Sequence, residues 1–135
     1  MTDLLKKLAG GDLRSIGRSN EVVAQVIESP ALISELFEGL FHEDARVRAR
    51  ASDALEKVST RYPDWIKKYR TRLLRDYLTG SDSQIVKVSA LQALADLAEC
   101  DQTLRPSVSR LVLEALRVGS PSLKARARKL RGSMS

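Results

Sequence analysis

One imidazole and one thiol bound the chemistry available to this chain. His42 is the sole histidine and Cys100 the sole cysteine, so a His-rich or thiolate metal cluster cannot be assembled and an intrachain disulfide is impossible. A Ser-His-Asp arrangement would have to run through His42. That residue follows Phe41 at an expected helix end, where a cation suits the dipole, and the capping role is the expectation. Cys100, near Ala98 on an apolar helix, reads as a small buried packing residue. Gly-x-Ser-x-Gly, a phosphate-cradling glycine loop and His-Glu-x-x-His are all missing from the sequence. The carboxylates fall on apparent polar helix faces or at caps, where a solvated group keeps an ordinary pKa and makes a poor general acid. No catalytic residue, metal ligand or cofactor is therefore expected, and the chain reads as non-enzymatic.

Binding chemistry has better candidates. Arg46, Arg50 and Lys57, with Asp53 among them, share one helix face at offsets of four, three and four. A second concentration lies in the last helix, Lys124-Ala125-Arg126-Ala127-Arg128-Lys129-Leu130-Arg131, from which Lys124, Arg126 and Lys129 are the candidate contacts. Cations there fit a terminal cap with a polar outer face, and equally an anchor for an acidic partner. Lys67, Lys68, Arg70, Arg72 and Arg75 scatter around another helix and read as a solvated face whose stems cover apolar surface. Tyr62, Trp65 and Tyr69 form the aromatic cluster, at offsets of three and four. Such rings could stack on bases, but filling a junction between packed units is the expected role. Trp65 is the residue through which stacking would be tested.

Three related helix patterns must position these residues. Val47-Arg48-x-x-Ala51-x-x-Ala54-Leu55-x-x-Val58 recurs as Val86-Lys87-x-x-Ala90-x-x-Ala93-Leu94-x-x-Leu97 and again, shortened, as Leu123-Lys124-x-x-Ala127-x-x-Leu130. The offsets are 39 and 37 residues. Alternating steps of three and four mark one buried stripe per helix, and the matched alanines let helix axes approach closely. Each is preceded by a helix with its own stripe: Leu32, Ile33, Leu36, Phe37, Leu40 and Phe41; then Ile66, Leu73, Leu74, Tyr77 and Leu78; then Val108, Leu111, Val112, Ala115 and Leu116. In the repeat register, the face carrying Arg46, Arg50, Asp53 and Lys57 continues as Ile85, Ser89, Gln92 and Asp96, then Ser122, Arg126 and Lys129. The basic strip is broken in its middle. A phosphate track gains affinity from many neutralised phosphates in a row, so the break argues against a dedicated duplex binder.

Punctuation agrees with helix pairs. Ser29-Pro30 and Ser120-Pro121 read as N-cap then first-position proline, and Pro63 opens the helix of Trp65. Asn20, Asp44 and Asp82 are expected N-caps, Asn20 opening a helix over residues 21–28. Gly80-Ser81 and Gly119-Ser120 end two helices, where glycine tolerates a left-handed exit. Nothing alternates with period two for long enough to suggest a sheet.

Apolar residues make up 43% of the 135 and charged ones 30%, ordinary for one globular domain; aromatics are only 4%, so Leu, Val, Ile and Ala must build the core. The start lacks the apolar core of a secretory signal and no apolar run reaches membrane-spanning length, so a cytoplasmic protein without membrane contact is expected. The net charge of +6 is unevenly spread: residues 104–135 hold 8 Lys/Arg against Glu114 alone, while Glu21, Glu28, Glu35, Glu38, Glu43 and Asp44 crowd the leading part.

Helix pairs with Val-Arg-x-x-Ala-x-x-Ala-Leu opening the second helix resemble HEAT repeats, over about residues 29–131. The period is slightly short of the ~40–47 usual for that class. The segments Gly17-Arg18-Ser19-Asn20-Glu21-Val22-Val23 and Ala51-Ser52-Asp53-Ala54-Leu55-Glu56-Lys57-Val58 are also similar to small bacterial HEAT-type proteins, a group with no established activity. The resemblance implies an all-α, right-handed α-α superhelix in one domain, 1–135: a half-repeat over about 1–28, then repeats over about 29–62, 63–100 and 101–131. It further implies that second helices line a concave side, making the Arg46 strip ligand-facing, and that Arg48, Lys87 and Lys124 pair with an Asp of a neighbouring repeat. The expected function is a scaffold or interaction module for another protein with an acidic patch. The alternative is nucleic-acid binding, akin to HEAT-like DNA glycosylases, through the basic end, although no catalytic acid for that chemistry can be located. Self-association, acidic end to basic end, would form rings or filaments. HEAT-like units also occur in bilin lyases, but nothing marks a tetrapyrrole site.

Overall fold

The computed structural model describes residues 4, 7–8, 17–78 and 80–134, with side chains left undescribed at 17–19, 76–78 and 134. Every regular element among them is helical. Helix α1 is Gly17–Glu28. A 3-10 turn, Pro30–Leu32, leads into α2, Ile33–Gly39. Helix α3 is Ala45–Arg61. A composite helix, α4, joins a 3-10 stretch Pro63–Tyr69, an α-turn Arg70–Arg72 and a π stretch Leu73–Leu78. Helix α5 is Gln84–Cys100; after a 3-10 turn, Gln102–Leu104, come α6, Arg105–Val118, and α7, Pro121–Met134.

The repeated apolar ridges all point inward. Val47, Ala51, Ala54, Leu55 and Val58 are buried, as are Val86, Ala90, Ala93, Leu94 and Leu97, and then Leu123, Ala127 and Leu130. Helix α1 packs on α3, α3 on α5 and α5 on α7, while α2, α4 and α6 pack against α3, α5 and α7 respectively. Helix α5 touches α3, α4, α6 and α7. It is accordingly buried on most sides, including Leu91, Ala95 and Ala98 outside the repeat ridge, as an all-round apolar helix must be.

Several local expectations need correction. Asn20 lies within α1, which starts at Gly17, and does not cap it. Asp44 does cap α3, accepting from the Arg46 N–H at 2.9 Å, but Ser83 rather than Asp82 caps α5, through Oγ and the Val86 N–H. Cys100 is exposed, because α5 ends there and its apolar ridge has already stopped at Leu97 and Ala98. Phe41 is 52% exposed, since α2 stops at Gly39 and the chain turns before the last position of the stripe. The irregularity of α4 was not expected either. Ile66 and Tyr69, spaced by three, are both buried, as the three-residue turn of a 3-10 helix allows. Leu73 is buried and Leu74 half-buried; the side chains of Tyr77 and Leu78 lie outside the described residues.

Gly119 ends α6 with φ −71° and ψ 165°, an extended exit rather than the left-handed one expected. Its reason for being glycine is a close approach. A Cβ there would stand 2.5 Å from the Ala115 carbonyl oxygen, which accepts the Gly119 N–H at 2.9 Å to close the helix. Gly119→Ala should therefore destabilise the fold by about 1–3 kcal/mol through overpacking, read as a lower urea midpoint with unchanged slope.

Candidate interaction surface

Helices α3, α5 and α7 carry polar side chains on adjoining positions, and these make a connected network. The Ser89 Oγ donates to Glu56 Oε1 at 2.9 Å. Arg126 Nη1 donates to the same Glu56 oxygen at 3.0 Å and to Gln92 Oε1 at 3.2 Å. Gln92 Nε2 in turn donates to Asp96 Oδ1 at 2.9 Å, and Ser59 and Thr60 hydroxyls donate to Asp96 Oδ2 at 3.0 and 3.2 Å. Arg126 thus reaches from α7 across α5 to α3, bridging residues 70 apart in sequence.

The six expected partner-binding residues meet different fates. Arg46 is exposed, but its guanidinium is engaged by Asp44 at 3.1 Å. Those hydrogen bonds from Arg46, side chain first and backbone next, hold the Asp44 carboxyl below its ordinary value. Lys57 Nζ is bound by Asp53 Oδ2 and Asn20 Oδ1, each at 2.8 Å. Arg50 is 7% exposed and its Nη1 donates to the Leu8 carbonyl at 2.6 Å. It is a buried tie between chain segments and not a surface contact; the repeat column it shares with Ser89 and Arg126 faces inward. Arg126 is half-buried in the network above, Lys124 is half-buried and Lys129 exposed. Along α3, Arg46 and Lys57 are therefore ion-paired and Arg50 is buried, while Lys129 on α7 is exposed with no ion pair among the described residues.

Other cations also differ from expectation. Arg48 donates to the carbonyls of His42 and Glu43, at 2.6 and 2.9 Å, tying down its own inter-helix turn rather than reaching an Asp of a neighbouring unit. Lys87 and Lys124 make no ion pair among the described residues. The Asp-to-cation link between units is supplied instead by Arg70, whose Nη1 lies 2.8 Å from Asp101 Oδ2. His42 makes a local contact at the turn after α2, its Nδ1 accepting the Asp44 N–H at 3.0 Å. The aromatic cluster divides in two. Tyr69 stacks on Phe37, centroids 4.2 Å apart, and fills the junction between units. Trp65 stacks on Tyr62 at 4.0 Å, nearly parallel, and stays half-buried at the surface.

Sequence reasoning missed Glu56, on which two helices converge. A signal was present: the aligned positions are Ala95 and Gly132, so a carboxylate stands in a column otherwise occupied by small residues. Asp96 was noted only as a break in the basic strip. Burial raises its carboxyl above the ordinary 3.8, the Gln92, Ser59 and Thr60 donors oppose this, and nearby Glu99 raises it further. Among the described residues no cation pairs with Asp96, and no group of three His, Cys, Asp or Glu side chains could hold a metal ion. The surface holds its charged groups in place through these side-chain hydrogen bonds.

Comparison of the chain with protein-family models, with curated proteins and with solved structures returned no match. Nor is any helix among the described residues long and apolar enough to cross a membrane.

Two acids should give opposite pH signatures. The folded state holds the Asp96 proton more tightly than the unfolded chain, so stability falls as pH rises from 3.8 through the raised folded value. Asp96→Asn should remove that fall and stabilise the protein at pH 7 relative to acid. Asp101 is the reverse: Thr103 and Arg70 hold its carboxyl below 3.8, so its contribution is present above 3.8 and lost as pH falls. Asp101→Asn should cost stability at pH 7 and nothing in acid; urea midpoints across pH 2–8 check both. Arg50→Met, which removes the buried donor to the Leu8 carbonyl, should cost about 1–3 kcal/mol of stability; an unchanged midpoint would show that the bond contributes nothing.

Proposed function

We propose that this chain is a short α-solenoid of HEAT type acting as a non-enzymatic binding module, with its basic α6–α7 end seated on an acidic patch of another protein. The observation that carries the reading is where compensation stops. On α3, Arg46 is paired with Asp44, Lys57 is held by Asp53 and Asn20, and Arg50 is buried against a carbonyl. Beyond residue 103 Glu114 is the only acid in the sequence, and Arg110, Arg117, Arg128, Lys129 and Arg131 are exposed. An uncancelled field of this kind steers association with a complementary surface.

A HEAT-type stacked arrangement is supported by the succession of helix pairs and by Arg126. Neighbouring packed helices lie about 8–10 Å apart, so a side chain that crosses α5 to reach α3 favours a face that curls inward. A protein partner is favoured over nucleic acid by the apolar residues among the cations. Leu113 and Val118 are 53% and 60% exposed, and Leu113 shares the α6 face of Arg110 and Arg117 at offsets of three and four. Phosphate backbones offer nothing to an exposed leucine, whereas protein interfaces combine Arg with apolar anchors.

Binding to a fluorescent polyglutamate peptide, followed by anisotropy at low and high salt, tests the reading. Lys129→Glu with Arg131→Glu should weaken binding by about tenfold or more, a change of roughly 1.4 kcal/mol, while Arg46→Glu should change it little. Equal affinity of the double variant and the parent protein would refute the assignment. Binding to a labelled DNA duplex but not to the peptide would replace it with the nucleic-acid reading. Assemblies seen by light scattering that dissolve at high salt would identify the acidic partner as a second copy.

A further inference from the structure

A groove of about 730 Å³ runs between the Pro30–Leu32 turn and the start of α4, away from the α7 cations. Pro30, Ala31 and Ile33 form one wall; Trp65, Lys67, Lys68 and Arg70 are prominent on the other. That volume falls within the ~300–1,000 Å³ of small-ligand sites. We propose that this groove binds a base-bearing phosphate, either a free nucleotide or one unit of a single-stranded nucleic acid.

Three features converge on that chemistry. First, the aromatic surface is rigid. Trp65 packs against the core and is backed by Tyr62 at 4.0 Å and 6°, so a planar ligand meets a slab already ordered, and little side-chain entropy is lost on stacking. Second, two lysines line the same groove as the ring. Lys67 and Lys68 follow Trp65 by two and three residues, and the Lys68 ammonium is held over the Tyr69 ring at 5.3 Å. Third, the lining has surplus positive charge. Asp64 is its acid, while Arg70 is already joined to Asp101, which leaves the two lysines against one carboxylate. An aromatic slab with adjacent ammonium groups suits a ligand that is flat at one end and anionic at the other. It suits neither a neutral aromatic nor a bare anion as well. The wall of Pro30, Ala31 and Ile33 supplies apolar contact for the opposite side of a base or sugar.

Trp65 is the sole tryptophan, so its fluorescence reports the site directly. Titration of the full chain with ATP should quench it saturably. Adenosine and inorganic triphosphate, which each lack one half of the recognition, should bind at least about tenfold more weakly. Lys67→Glu with Lys68→Glu should weaken ATP by a similar factor while leaving the thermal midpoint in place. A matching titration with oligoadenylate assigns the source: tighter binding than ATP indicates a single strand, equal or weaker binding a free nucleotide. The proposal fails if neither quenches saturably up to ~1 mM. It fails equally if triphosphate matches ATP, or if the folded double-lysine variant binds as the parent protein does. The α7 charge-reversal variant is independent of this groove and should bind ATP unchanged.

Discussion

Burial of α5 is the constraint on which the rest of the structure depends. With α3, α4, α6 and α7 all packed against it, this helix can keep few polar side chains in water. Close approach is made possible by alanines at the contacts: Ala90, Ala93, Ala95 and Ala98 on α5, Ala51 and Ala54 on α3, Ala127 on α7. Where polar groups remain on α5 they must find partners, because an unpaired buried group costs about 1–3 kcal/mol. Ser89 finds Glu56, Gln92 finds Arg126 and Asp96, and Asp96 collects the hydroxyls of Ser59 and Thr60. The polar network follows from the packing of the apolar one.

That network also decides which charges face outward. A cation paired with a carboxylate presents little net charge to steer a partner. Along α3 such pairing holds Arg46 and Lys57. Past residue 103 Glu114 is the only acid in the sequence, and the field of α6 and α7 stays open to solvent. The two proposed binding regions thus sit on chemically different ground: a diffuse cationic end with exposed leucine and valine, and a defined groove with one ordered aromatic slab.

Stacking divides labour among the aromatics in a way that bears on both stability and recognition. Tyr69 closes the junction by lying on Phe37, as a large buried ring should. Trp65 is thereby released from the packing role that its spacing from Tyr69 suggested, and its pairing with Tyr62 keeps it rigid at the surface. Along the 3-10 start of α4, Ile66 and Tyr69 fall on the buried side together, while Trp65 lines the groove.

Periodicity determined the all-helical class, the order of the helices and the core residues of the repeated ridges, because a ridge at steps of three and four has one way to be buried; Leu91, Ala95 and Leu104 lie outside those ridges and are buried as well. It also placed Asp44, Pro63 and Ser120 at helix starts, where side-chain or ring geometry acts within a few residues. Only the tertiary structure decided what the charged residues do. Arg50, Ser89 and Arg126 share a column, yet one meets a carbonyl 42 residues away, one a neighbouring helix, and one reaches across to Glu56. Apolar burial depends on a face and is written in local spacing. A hydrogen bond depends on which atom arrives within 3 Å, and that is set by how separate helices lie against one another.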